Sequence, residues 1–389
     1  MSYLFASSWM REPGRGGISR YWFDDNTGGI TYMDSVLTDI SFNVTWIDEK
    51  RDILYALNEV PDQPGCRFGG GGSIYAMKLD RADGKIDSIE HYPAYCSNPC
   101  NLALDHDSRY MIITGHGTKN YITKLMMDEE GHYYPEVLTD DTPVILFELD
   151  SKGEPEHILD IKKHVGSGPG KKQMTAHPHC AAVSPCGKFY AVCDKGLDSL
   201  YIYRINEQQA SLECCDICLE QPGTEPRYSV FHPHLPYLYH NTENSTEIFV
   251  YRYNKEGIME WTGSYETLLN KHNNGRIIEQ QGLCISSDGR YLYDIIHGPD
   301  IIAVMEADPL DGSLKIIQNM SIDHEWPRGA ALSPDGRFLV AACVRGKKLV
   351  VYAVREDGTL EFSGITADLD NASYISFWEK TAKTADCRY

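Results

Sequence analysis

The sequence predicts an all-β chain, a seven-bladed β-propeller, from three observations: a repeated strand pattern, a regular turn spacing and two incomplete ends. The clearest repeats run from Pro226-Arg227-Tyr228-Ser229-Val230-Phe231-His232-Pro233 to Tyr239 and Phe249-Val250-Tyr251, and from Pro327-Arg328-Gly329-Ala330-Ala331-Leu332-Ser333-Pro334-Asp335-Gly336 to Val340 and Val350-Val351-Tyr352. Others begin near Asn43, Pro99, Pro178 and Gln281. The turns Asp288-Gly289 and Asp335-Gly336 set a period of about 47 residues, that of a blade of four short strands.

The ends predict closure. Tyr3-Leu4-Phe5-Ala6-Ser7-Ser8-Trp9, Gly17 to Phe23 and Gly29 to Met33 supply the last three strands of a repeat and lack the first. Asn371-Ala372-Ser373-Tyr374-Ile375-Ser376-Phe377-Trp378 has the pattern of that missing strand. Six whole repeats and one shared between the ends make seven blades, and pairing the two termini removes an exposed sheet edge. The expectation is one domain over residues 1–389, with an irregular insertion at about residues 136–175.

Hydrophobic residues make up 42 % of the chain, with 33 Gly and 25 Tyr, which suits short strands and many turns. No run approaches the roughly 20 apolar residues of a membrane span, and no signal-peptide pattern opens the chain. Twelve cysteines over 389 residues are too sparse for a disulfide scaffold. The expected compartment is the cytoplasm. A net charge of −20 argues against nucleic acid and anionic membrane as partners, which need a basic surface. An anionic substrate would require a locally positive site.

Several local patterns have plainer readings. Cys215-Asp216-Ile217-Cys218 has redox spacing but falls on an outer strand with no βα context. Gly166-Ser167-Gly168-Pro169-Gly170-Lys171-Lys172 resembles a phosphate loop but lacks the following Ser or Thr and a helix. His177-Pro178-His179 sets two imidazoles close together without a further adjacent ligand, so no metal and no cofactor is expected.

Laying the repeats over one another gives a ring. Each first strand turns into a second that returns to the same end, so residues equally distant from the turn are expected to face each other. Arg227 and Glu243 stand symmetrically about Leu235, His179 and Asp194 about Cys186-Gly187, and Arg328 and Val344 about Gly336. First strands contribute Asn43, Cys100, His179, Arg227, Gln281 and Arg328; second-strand ends contribute Trp9, Glu59, Gly115, Asp194, Glu243, His297 and Val344. In a propeller these would surround the mouth of the axial channel. Polarity there also suits a wet channel in a scaffold, so the ring alone leaves catalysis and binding open.

The stretch Gly166-Ser167-Gly168-Pro169, Ala176-His177-Pro178-His179, Ser184-Pro185-Cys186-Gly187-Lys188-Phe189 and Asp194-Lys195-Gly196-Leu197-Asp198 followed by Tyr201-Ile202-Tyr203 resembles the signature of the seven-bladed propeller lactonases. That family includes bacterial 6-phosphogluconolactonases and, more distantly, fungal carboxymuconate-lactonising enzymes. The likeness continues through Pro226-Arg227, His232-Pro233, Glu243, Ser287 to Tyr293 and Pro327-Arg328-Gly329, so it covers essentially the whole chain. It implies a site of His179, Arg227, Glu243 and a second Arg, but His297 stands where the family carries that Arg. Arginine grips an anion with a planar fork, whereas histidine offers one bond per nitrogen and a conditional charge.

The resemblance implies hydrolysis of a sugar-derived lactone, anionic or neutral, as the small-molecule partner. Such a reaction needs a base for water, donors for the oxyanion and an acid for the departing alkoxide. Glu243 is the expected base, Arg227 and Arg328 the expected oxyanion or anion holders, and His179 the expected proton exchanger. His297, His177, Asp194, Glu59 and Gln281 complete the expected substrate contacts. No Gly-x-Ser-x-Gly elbow occurs, so direct water attack is expected. Lactone-forming cycloisomerisation and a non-catalytic binding propeller are the alternatives.

Overall fold

Strands form where the chain alternates apolar and polar residues between Gly, Asp and Asn turns. The computed structural model describes residues 2–9, 14–63, 65–270 and 275–379, and contains strands and turns but no α-helix among them. Seven four-stranded sheets and one two-stranded ribbon result. Five sheets use four consecutive strands, one is interrupted by the ribbon, and one is completed by the chain's two ends.

The end-to-end pairing is as the sequence predicts. Strand Ala372–Glu379 runs antiparallel to Ser2–Ser8, with Tyr3 opposite Trp378 and Leu4 opposite Phe377. The pairing is held by burial. Trp378 packs on Tyr3 with ring centroids 5.9 Å apart, and Phe377 meets Phe23 edge-on at 5.0 Å. Second strands such as Phe338–Cys343 are buried at every residue, whereas the fourth strand Leu360–Asp368 alternates and faces water.

The expected irregular insertion at residues 136–175 is corrected. Pro143–Leu149 and Pro155–Lys163 are regular strands, the third and fourth of the sheet that begins at Pro99. The real insertion is the ribbon Tyr121–Met127 and Tyr133–Thr139, placed between that sheet's second and third strands. Its alternation reads as another blade hairpin, which shifted the count. Irregular chain follows from His164 to His177.

Contacts divide the chain into two compact units. The first comprises residues up to Ala56, Tyr75–His91 and from Glu266 onward; the second comprises Leu57–Ile74 and Tyr92–Tyr265. In the first, one core gathers Tyr293, Ile302, Val304, Leu339 and Tyr352, and another gathers Leu4, Phe23, Val340, Val351 and Ile375. In the second, Ala103, Ile112, Leu146, Tyr190 and Val192 pack together.

Register supplies a further correction. Pro178 lies opposite Asp194 and Cys180 opposite Cys193, which leaves His179 in a bulge. Pro226 opposes Thr242 and Ser229 opposes His240, so Arg227 and Tyr228 bulge against one residue. Cys100, Gln281 with Gly282, and Arg328 occupy the same position in their sheets. The expected facing pairs therefore do not hold. Glu243 is bonded through its N–H to the Glu225 carbonyl at 2.8 Å, and Val344 to that of Trp326 at 2.9 Å. Counting from a turn assumes an unbroken ladder, and an extra residue breaks it while re-aiming its side chain.

Candidate active site

The bulges of the second unit deliver Arg227 and His179 to a buried cluster with Glu243. Arg227 Nε donates to Glu243 Oε2 at 3.2 Å, and the guanidinium lies 5.2 Å from the Tyr228 ring centre. Lys195 Nζ donates to the same carboxylate oxygen, and Lys172 Nζ reaches Oε1 at 3.4 Å. Burial alone would push the Glu243 carboxyl up, but Lys195 and Arg227 outweigh it and hold the group well below the usual carboxylate range. Glu243 is thus ionised at neutral pH. Lys195 is itself buried, which lowers its pKa against the pull of Glu243.

Three histidines adjoin these charges. His116 stacks on His177 with centroids 4.7 Å apart and meets His179 nearly edge-on at 5.8 Å, while His179 meets Tyr228 at 5.1 Å. His177 Nδ1 bonds the His116 carbonyl at 2.6 Å. His179 Nδ1 is buried and has no hydrogen-bond partner among the described residues. Burial first, then neighbouring cations, lowers the pKa of all three: for His179, Arg227 and Lys195 add to the effect. The folded imidazoles stay neutral where the unfolded chain takes up protons. Their contribution to stability is therefore full above about pH 6.5 and is lost as pH falls below it. The melting temperature should drop from pH 7 to pH 5, and His177→Asn should flatten that drop; an unchanged pH slope in the variant would refute the assignment.

The Asp194-x-Gly196-x-Asp198 segment proves to be scaffold. Asp194 Oδ1 accepts from the His177 N–H at 2.7 Å and the Gly196 N–H at 3.0 Å, and Oδ2 contacts His164 Nδ1 at 2.6 Å. His164 continues to the Tyr203 hydroxyl at 2.7 Å. With both oxygens so engaged and no exposure, Asp194 is corrected from a substrate contact to a support for His177. Asp198 accepts from the N–H groups of Glu225 and Gly223 and from Gln173 Nε2. A Cβ on Gly196 would lie 1.9 Å from the Thr175 carbonyl oxygen, so only glycine lets these loops meet. The phosphate-loop look-alike folds around Gln173, whose Oε1 accepts from the Gly170 N–H at 2.8 Å, and this wrapping presents Lys172 to Glu243.

Lys195, His116 and Glu225 were missed in the sequence. Lys195 lies inside the Asp194-to-Asp198 stretch, and a cation directly after an Asp at a strand end was the available signal. Glu225 is buried, with a left-handed φ of 51° before Pro226, where an L residue is strained. Asn244 Nδ2 donates to its Oε1, while Oε2 has no hydrogen-bond partner among the described residues. Burial raises its pKa against the pull of Lys195. The half-buried Glu59 also lies in this unit and raises the buried Cys100 thiol, which burial foremost pushes up to about 12.

Arg328, His297 and Gln281 belong to the first unit and have local partners there. Arg328 donates to Asn43 Oδ1 at 2.9 Å and lies over Trp9 at 4.4 Å. His297 stacks on Trp326 at 5.0 Å, with Nδ1 3.4 Å from Asp300, which also binds Arg276 at 2.7 Å. Gln281 contacts Glu279 at 3.4 Å. The described residues contain no cluster of three or more metal-ligating side chains. Cys215, Cys218 and the other described cysteines are free thiols, and Cys387 lies outside the described residues.

A family model described as lactonase, seven-bladed β-propeller, matches residues 4–377. The chain belongs to the seven-bladed β-propeller lactonase family. Its seven four-stranded sheets are the blades of that fold. The 6-phosphogluconolactonase of Bacillus subtilis (strain 168) is 24 % identical over 316 residues, 80 % of this chain and 80 % of the relative. That of Formosa agariphila is 25 % identical over 348 residues, 88 % of this chain and 89 % of the relative. In fold, the periplasmic gluconolactonase of Pseudomonas aeruginosa superposes with a TM-score of 0.81 at 20 % identity, over 98 % of this chain and 99 % of that one. No helix of the described residues is long and apolar enough to cross a membrane.

Proposed function

We propose that this lactonase opens a sugar-derived lactone by direct attack of water, with Glu243 as base. The observation that carries the reading is one buried carboxylate sharing Lys195, Arg227 and Lys172, beside a neutral His179 whose Nδ1 has no hydrogen-bond partner among the described residues. Cations this close make Glu243 a weak base at rest, which fits a reaction that moves negative charge instead of creating it. As the water oxygen bonds to the carbonyl carbon, Glu243 takes a water proton and the negative charge appears on the carbonyl oxygen. Lys195 and Arg227 follow the charge from one oxygen to the other, a stabilisation aimed at the transition state. The ring C–O bond then breaks, and its oxygen takes a proton from Glu225, whose raised pKa suits an acid. The proton on Glu243 returns Glu225 to its starting state, directly or through water. His179 Nδ1 orients the attacking water.

Lys119, Lys171 and Lys172 gather with Thr118 and His177 around a recess of only about 10 Å³, so an anionic group on the lactone would meet these lysines at the surface and not inside the recess. These lysines make a positive patch on a chain of net charge −20, which favours a phosphorylated or carboxylated aldonolactone. The cytoplasm remains the proposed compartment on the sequence reading.

Arg227→Lys tests the donor role. The change keeps the charge and loses the fork, so kcat/KM should fall by the equivalent of about 1–3 kcal/mol. Equal rates for the two would reduce Arg227 to a diffuse positive field. The pH profile tests the two carboxylates together: activity should persist below the usual carboxylate range, because Glu243 stays ionised there, and should decline at higher pH as Glu225 loses its proton. Glu225→Gln should lower kcat and remove the decline on the high-pH side; a retained decline would assign it to another group.

A further inference from the structure

One face of the N-terminal sheet collects hydroxyl groups. Strand Gly17–Phe23 pairs antiparallel with Ile30–Val36, and the register sets Ser19 opposite Ser35. Ser19 and Tyr21 share a face because side chains alternate along a strand. The register shifts between Arg20 and Tyr21, so Met33 is the extra residue and Tyr32 stands opposite Tyr21. That bulge puts Tyr32 on the face of Ser35, although the two are three residues apart. The Ser19 and Ser35 hydroxyls lie 2.8 Å apart, Tyr32 reaches Ser35 at 3.0 Å, and the Tyr21 hydroxyl donates to the Asp368 carbonyl at 3.2 Å.

These hydroxyls line a cavity of about 470 Å³, within the size range of small-molecule sites. Its other walls include Gly14 to Gly16, Lys347 and Asp368 to Asp370, and all of them belong to the first unit. The walls are tied to one another and to their surroundings. The Gly16 N–H donates to the Thr38 carbonyl at 2.8 Å, the Leu369 N–H to that of Lys347 at 3.0 Å, and Ser8 Oγ to that of Asp370 at 2.7 Å. The recess is therefore formed before a ligand arrives, which spares the cost of ordering it.

We propose that this cavity is a second, non-catalytic site for a neutral polyhydroxylated small molecule, a free sugar or cyclic polyol. Hydrogen-bonding capacity selects that class. A hydroxyl has one donor and two acceptor positions. Three bonds drawn from the four hydroxyls leave at most one donor against several acceptors, so this face suits a ligand rich in O–H groups and suits poorly a carboxylate or phosphate, which chiefly accepts. Charge selects in the same sense. Lys347 Nζ lies 3.1 Å and Arg15 4.0 Å from the Asp370 carboxylate, while Asp368 binds Lys348 at 2.6 Å. Both cations of the wall are thus committed to Asp370. Tyr32 is 58 % exposed, and its ring offers an apolar surface to the C–H groups of a sugar. The site stands apart from the reaction proposed above, whose residues belong to the second unit.

Nitration of tyrosines by tetranitromethane, read by mass spectrometry on the full chain, tests the site without any substitution. Glucose, galactose and myo-inositol are the probes, and gluconate is the anionic counterpart of glucose. Tyr133, 71 % exposed on the ribbon, is the internal reference. At least one neutral probe should protect Tyr32 saturably relative to Tyr133, and gluconate should need at least about tenfold more to do the same. Ser35→Ala should raise the half-protecting concentration about two- to tenfold, the worth of one neutral hydrogen bond. Asp370→Asn releases Lys347 and Arg15, so there gluconate should gain on glucose. Glu243→Gln should leave the protection as it is, which separates this site from the candidate active site. No protection of Tyr32 by any neutral probe, or protection by gluconate equal to that by glucose in the wild type, would overturn the proposal. Protection undiminished in Ser35→Ala, or lost in Glu243→Gln, would overturn it too.

Discussion

Glu243→Gln is expected to lower kcat by about 10²–10⁴ with little change in KM. Glutamine has the same shape and still accepts hydrogen bonds, but it cannot take a proton from water. The substitution also removes the counter-charge of a buried lysine, since Lys195 pairs with this carboxylate and is hardly exposed. An uncompensated buried charge costs about 3–5 kcal/mol, so the melting temperature should fall as well. The two effects separate in the double variant Glu243→Gln with Lys195→Met, which should recover much of the lost stability and none of the lost rate. Steady-state kinetics on folded protein, with melting recorded for each variant, checks both. If Glu243→Gln keeps near-normal kcat while Glu225→Gln or Glu59→Gln does not, the base is a different carboxylate.

Removal of the chain from Asn371 onward should abolish cooperative folding of the N-terminal sheet. The deleted strand is the partner of Ser2–Ser8 and carries Ile375 and Trp378 into two separate cores, with Phe377 packed against one of them. Each large apolar side chain withdrawn from burial costs about 1.5–3 kcal/mol, and the backbone groups of Ser2–Ser8 on that side lose their partners. Such a sum rivals the whole stability of an ordinary domain, about 5–15 kcal/mol. Calorimetry on the truncated chain should show a lost or greatly lowered transition. An unchanged melting temperature would contradict this role of the C-terminal strand.

The fold was legible because strand alternation and turn spacing are local properties that repeat. Seven copies average out the ambiguity of any one, and the gap at one end matched the surplus strand at the other. The site was legible in part. His179, Arg227 and Glu243 do meet, but through bulges that no count from a turn reveals, since a bulge depends on what packs beside the strand. Lys195 was hidden because a lysine at a strand end ordinarily points to water; here the loop from Gly168 to Gln173 folds over it, with Gln173 Nε2 on its carbonyl at 2.8 Å. Asp194 misled for the converse reason. Its place at a strand end matched a site residue, while its oxygens turn inward to His164, His177 and Gly196. The ribbon misled through its alternation, which mimics a blade hairpin although its apolar face has no blade to cover it.

The central claim is lactone hydrolysis at the Glu243 cluster. Its most direct measurement is the rate of ring opening by the purified protein on a panel of aldonolactones, phosphorylated and not, with spontaneous opening subtracted. Acceleration of at least one lactone by the wild type, largest for an anionic member and lost in Glu243→Gln, is the predicted result. No acceleration of any lactone by well-folded wild type, or acceleration that persists undiminished in the Glu243→Gln variant, would contradict it.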